Sequence, residues 1–172
     1  MNSTAQIAVA IGLPLIGGFA GGMLTKREIK SWYQHVIKPK ATPPNWIFGP
    51  MWTSLYIGMG YASYLVYGSV QSLSATPMKW YFGQMILNWA WTPLFFYLHQ
   101  PGLALINISC MEMAIIKTSL EFGKVNRAAG LLLVPYIVWV GYASFLNAYV
   151  WWNYPESKKR LALAAKEEKK SK

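Results

Sequence analysis

Residues Gly130–Asn153 read GLLLVPYIVWVGYASFLNAYVWWN, a run of 24 residues without one charged side chain. A helix needs about 20 apolar residues to cross the hydrocarbon core of a bilayer. In lipid the backbone polar groups must be satisfied within the segment, so this run is expected to be helical. Four further stretches of about 20 residues are mostly apolar: Ala5–Leu24, Trp46–Gly68, Lys79–Leu98 and Leu103–Phe122. The sequence therefore predicts an all-α membrane protein, a bundle of five transmembrane helices forming one domain over residues 1–153. Pro14 and Pro93 fall inside spans and are expected to kink them. The fourth span carries Asn107, Ser109, Glu112 and Lys117, and its polarity suggests a helix shielded by the others.

The composition of the chain agrees. Of its 172 residues, 54% are hydrophobic and only 13% charged, against about 25% charged in a soluble domain. The net charge of +10 is bunched at the ends of apolar runs. It does not line a helix face, which argues against nucleic acid and for membrane orientation. Five spans place the first loop, the third loop and the C-terminal tail on one side. That side holds twelve lysines and arginines, including Lys26, Lys38, Arg160 and Lys166, and the other only four. By the positive-inside rule the C-terminus is expected in the cytosol, with residues 154–172 as a basic tail. Residues 25–45 form the one long connection. Pro39, Pro43 and Pro44 hold its end extended, and long ordered loops are often lids.

Catalytic chemistry is scarce. There is no aspartate, the two histidines (His35 and His99) lie near loops, and Cys110 is the one cysteine. Acyl transfer and metal hydrolysis therefore have no machinery, and neither a metal nor a cofactor is expected. Glu112 is the one acidic residue deep within a span. It is either a functional carboxylate or a protonated group bonded to a neighbouring helix. No signal-peptide core or Arg-rich presequence is apparent at the start of the sequence.

Nine tryptophans stand out. Trp46, Trp80, Trp151 and Trp152 at span ends, with Trp32 in the first loop, read as an interfacial belt. Trp52, Trp89, Trp91 and Trp139 lie within spans, where a belt cannot account for them. Trp139, Ala143, Leu146 or Asn147, and Val150 share a helical face, while Asn88 adjoins Trp89 near mid-membrane. Apolar walls with a few polar fixtures are how small-molecule pockets are built. Spacing alone leaves a cavity and plain helix packing both open. Gly17, Gly18, Gly21 and Gly22 form overlapping G-x-x-x-G pairs that permit close helix approach. The echo of Gly60-Tyr61-Ala62-Ser63 in Gly141-Tyr142-Ala143-Ser144 is explained by the same packing demand.

The run Lys38-Pro39-Lys40-Ala41-Thr42-Pro43-Pro44-Asn45-Trp46, followed by Pro50-Met51-Trp52-Thr53 and Met59-Gly60-Tyr61, resembles the translocator protein family, also called the tryptophan-rich sensory proteins. Leu87-Asn88-Trp89-Ala90-Trp91, Trp139 to Asn147, and Tyr149-Val150-Trp151 extend the match. The resemblance implies a five-helix bundle, in some cases a homodimer, in the mitochondrial outer membrane. It implies binding of cholesterol, porphyrins and benzodiazepine-like ligands under the first loop, for transport or sensing. Carried over by motif, the pocket residues would be Gly22, Trp52, Asn88, Trp89, Trp91, Trp139, Ala143 and Leu146, with Asn147 beside them. The alternatives are a tetrapyrrole-degrading enzyme, whose indoles would be Trp52 and Trp139, and a scaffold for partner proteins. The family's sterol motif is displaced here. Trp152 stands where a basic residue is expected, and the formal match moves to Tyr149, Val150, Tyr154 and Lys158. Leu103 replaces an aromatic at the start of the fourth span. The ending Lys169-Lys170-Ser171-Lys172 has the form of an endoplasmic reticulum retrieval signal, which makes that membrane the alternative location.

Overall fold

The computed structural model describes residues 3–170, and side chains as far as Lys166. The lysine pair at the chain end falls outside the described side chains. Among the described residues seven α-helices follow one another: α1 (Ser3–Lys30), α2 (Asn45–Val70), α3 (Thr76–Thr92), α4 (Pro101–Val125), α5 (Arg127–Leu132), α6 (Val134–Trp152) and α7 (Tyr154–Lys170). No strand occurs among the described residues. The molecule is a helical membrane protein, as its hydropathy predicts.

The count of five spans needs adjustment. Five rods make the bundle, but the last is two helices: Asn126 caps α5 by accepting from the Ala129 amide at 3.1 Å, and a turn at Leu133 separates α5 from α6. Ser3–Lys30, Pro101–Val125 and the combined Arg127–Trp152 are each long and apolar enough to cross a bilayer. α2 is free of charge over 26 residues, but its glycines and tyrosines dilute its hydropathy. α3 has only 17 residues.

Pro93 extends α3 through a π-helical turn over Pro93–Tyr97 instead of simply kinking it. The Leu98 amide donates to the Pro93 carbonyl at 2.9 Å, an i→i−5 bond that accommodates one extra residue in the turn. Two adjacent rings, Phe95 and Phe96, therefore both point inward and are buried. Pro14 lies within α1, which remains one helix.

α1 runs to Lys30, beyond the expected end at Leu24, so the connection shortens to residues 31–44 and contains a 3₁₀ turn at Tyr33–His35. Within the basic tail, Tyr154–Lys170 forms a helix. One face of α7 packs on the bundle: Ser157 is fully buried, and its hydroxyl accepts from the Ile37 amide at 3.1 Å. The Tyr154 hydroxyl donates to the His99 carbonyl at 2.7 Å, and Glu28 meets the His99 ring at 3.1 Å. The first loop, the α3–α4 connection and α7 thus gather at one end of the bundle, as an odd number of rods requires.

Gly17 and Gly18 of α1 are used for contacts within this chain. A Cβ at Gly17 would collide with the Trp89 indole, and one at Gly18 with the Tyr56 ring. Gly60 lets α2 touch the α1 backbone, where a Cβ would fall 2.6 Å from the Ala10 carbonyl oxygen and the Ile11 Cα. At Gly141 a Cβ would lie 2.9 Å from Glu112 Oε1. The repeated Gly-Tyr-Ala-Ser motif therefore marks two close crossings. Glu112 accepts from the Ser144 hydroxyl at 3.3 Å, so it bonds to a neighbouring helix.

Candidate ligand-binding site

Beneath the first loop the bundle is hollow. The cavity is about 450 Å³, within the range of small-molecule sites. α1 contributes Gly18, Gly21, Gly22 and Ile29; α2 contributes Phe48, Trp52 and Tyr56; α3 and its π turn contribute Asn88, Trp91, Phe95 and Phe96. Ala143, Leu146, Asn147 and Val150 of α6 close the far wall, Ile108 and Met111 of α4 lie beside them, and Tyr33 covers the loop side. Nothing lies within 4 Å of a Cβ built on Gly22, so this glycine opens space where its neighbours permit contact.

The walls are stiff. Trp52 stacks on Tyr56 at 5.6 Å, as expected for rings four residues apart on one helix face. Trp91 stacks on Phe95 at 4.9 Å and donates its indole N–H to Asn147 Oδ1 at 3.0 Å. Asn147 Nδ2 in turn donates to the Pro101 carbonyl at 2.8 Å. Asn88 accepts from the Tyr56 hydroxyl at 2.9 Å and donates to the Tyr136 hydroxyl at 2.8 Å. Tyr136 donates to Gln84 Oε1 at 3.2 Å. Both asparagines are thus tied by protein partners. Each amide still has one N–H and one oxygen lone pair to offer.

Of the residues singled out from sequence, Gly22, Trp52, Asn88, Trp91, Ala143, Leu146 and Asn147 line the cavity. Trp89 does not: it packs into the Gly17 notch of α1. Trp139 does not either; its ring lies 5.7 Å from Phe48 and 5.8 Å from Tyr142, behind the wall. The displaced sterol motif is not one surface. Val150 is buried at the cavity, Tyr149 is exposed, and Tyr154 lies beyond the break at Asn153 with Lys158 over its ring at 5.1 Å.

Trp32 leaves the interfacial belt to which sequence assigned it. Only 5% exposed, it meets Phe95 edge-on at 5.5 Å and stacks on His99 at 4.4 Å. This aromatic cluster plugs the loop end of the cavity. Tyr33 beside it is pushed by burial up to about 12, so its hydroxyl stays protonated.

Sequence reasoning missed Tyr56, Phe95, Phe96 and Tyr33. Tyr56 was readable as the i+4 neighbour of Trp52. The paired phenylalanines were not, because an α-helical wheel points only one of two adjacent residues inward.

The sequence pattern of the TspO/MBR family matches residues 10–152, a range that includes every cavity-lining residue. The chain belongs to the TspO/MBR family. Its relatives include the translocator protein of Bos taurus, 39% identical over 142 residues, which are 81% of this chain and 84% of that one. The human translocator protein is 38% identical, over 80% of this chain and 83% of its own length. The tryptophan-rich protein TspO of Chlorobaculum tepidum is 38% identical, over 82% and 90%. Animal and bacterial TspO/MBR relatives thus cover similar shares of this chain.

Proposed function

We propose that this TspO-family membrane protein binds a flat hydrophobic small molecule, a sterol or tetrapyrrole, in the cavity beneath residues 31–44, for transport or sensing. The observation that carries the reading is the cavity itself: about 450 Å³, walled by Trp52, Trp91, Phe95 and Leu146, with two asparagines tied in place. Affinity would come from desolvating the ligand against indole and aliphatic walls. The spare N–H and lone pair of Asn88 and Asn147 would orient a hydroxyl or carboxylate. Benzodiazepine-like compounds fit the same description. Residues 31–44 serve as the lid.

The same reading places the C-terminus and α7 in the cytosol, on the side with most lysines and arginines. It places the chain in the mitochondrial outer membrane, with the endoplasmic reticulum as alternative, surrounded by lipid and able to pair as a homodimer. Gly17 and Gly18 of α1 are engaged inside the chain, so such a dimer would not be built on them.

Quenching of tryptophan fluorescence, titrated with protoporphyrin and cholesterol side by side, tests the reading. Trp52→Ala is expected to weaken the better ligand at least tenfold, about 1.4 kcal/mol. Trp139→Ala, behind the wall, is expected to change it less. Unchanged affinity in a folded Trp52→Ala variant would remove the cavity as the binding site.

A further inference from the structure

A second concavity of about 600 Å³ lies between the first loop and α7. Its loop wall includes Lys38, Pro39, Thr42, Pro44 and Asn45, and Arg160 faces it from α7. We propose that this cleft binds the phosphate of an anionic lipid headgroup, gripped by Lys38 and Arg160.

Lys38 is held in place, and neither cation has a counter-ion among the described residues. The Lys38 ammonium donates to the Tyr33 carbonyl and sits 4.2 Å over the centre of the Tyr33 ring. These contacts fix it but do not neutralise it, and two of its three N–H donors remain. Burial holds its pKa below the ordinary lysine value, the mark of an ammonium that has lost water without gaining an anion. Arg160 makes no hydrogen bond or ion pair among the described residues. Glu156, one turn earlier on α7, is taken by Lys159 at 2.7 Å, and Lys158 lies over Tyr154. Arg160 is therefore the unengaged one of three consecutive basic residues, and its planar fork matches phosphate oxygens.

Position selects the source of the phosphate. The cleft ends at Asn45, and the next residue, Trp46, is 73% exposed. At the end of α6, Trp151 and Trp152 are exposed just before α7 begins. Exposed indoles at the ends of apolar helices belong at headgroup depth. Pro39, Pro43 and Pro44 have no amide N–H to give, and the amides of Val36, Ile37 and Thr42 are already donated within the protein, so the charge that would hold an anion comes from the two cations.

The test is native mass spectrometry of the full chain, released from detergent micelles doped with phosphatidylglycerol or with phosphatidylcholine. Wild type is expected to retain one phosphatidylglycerol at least tenfold better than phosphatidylcholine. Arg160→Gln, an exposed change that leaves the fold alone, should abolish that preference, and Lys38→Gln should do the same. Lys166→Gln removes an equal charge from exposed α7 and should leave the preference intact. Equal retention of the two lipids by wild type would overturn the proposal. So would a loss in Lys166→Gln as large as in Arg160→Gln, since bulk charge would then be enough. Displacement of the lipid by excess inorganic phosphate would overturn the lipid as ligand, leaving a site for free phosphate.

Discussion

The two halves of the bundle use the same helices to opposite ends. Away from the loop, Met59, Val66, Met78, Tyr81 and Phe122 are packed with at most 3% exposure, Tyr81 stacking on Phe122 at 5.8 Å. Toward the loop, the same rods enclose about 450 Å³. Methionines fill the solid half, and their flexible thioethers close irregular gaps. Rings wall the hollow half, pinned by stacking, as Trp91 on Phe95, or by hydrogen bonds such as Trp91 to Asn147. A space persists where its walls are too rigid to relax into it. Flexible side chains would have collapsed into it.

This contrast can be broken from either side. The largest effect is expected for Phe122→Ala in the solid half, about 3 kcal/mol of stability from the cavity it leaves. Lipid tails are as apolar as the side chain, so the loss is mostly packing. Thermal unfolding in detergent reads it, and ligand affinity of the folded fraction should not move. Gly60→Ala is expected next, at about 1–3 kcal/mol. Its methyl group would meet backbone of α1 rather than a movable side chain, and the same melting experiment measures it.

In the hollow half the signs reverse. Ala143→Leu should leave the melting temperature within a few degrees yet weaken the bound ligand at least tenfold, about 1.4 kcal/mol. Fluorescence titration beside the melt shows both. Gly22→Ala is the mildest, because its methyl group enters open space. About threefold weaker binding, near 0.6 kcal/mol, and unchanged stability are expected. A large melting loss from either of these two would mean that the hollow half is packed after all.

Much of the architecture was legible because hydropathy and charge act over whole segments. The charge-free run from Gly130 to Asn153 declares a membrane rod without any tertiary information. What it could not reveal was local. Asn126 starts α5 by capping it through its own side chain, a break that hydropathy averages away. The fate of Trp32 depended on a loop reaching back to Phe95 and His99, two residues distant in the sequence. At the site, Trp52, Asn88 and Trp91 were readable from depth and periodicity. Trp89 and Trp139 were not separable from them, since a ring at the same depth can face a neighbouring glycine or a space. Only the partner across the interface decides, and Gly17 and Phe48 are those partners.

The π turn at Pro93–Tyr97 amounts to one inserted residue. Deleting a single residue there would remove the bulge and restore ordinary i→i−4 bonding, with the chain beyond it kept in place. Two adjacent rings such as Phe95 and Phe96 could then no longer both face inward. A relative whose alignment opens a one-residue gap at this point is therefore expected to accommodate molecules of a different outline, even with every other wall residue unchanged.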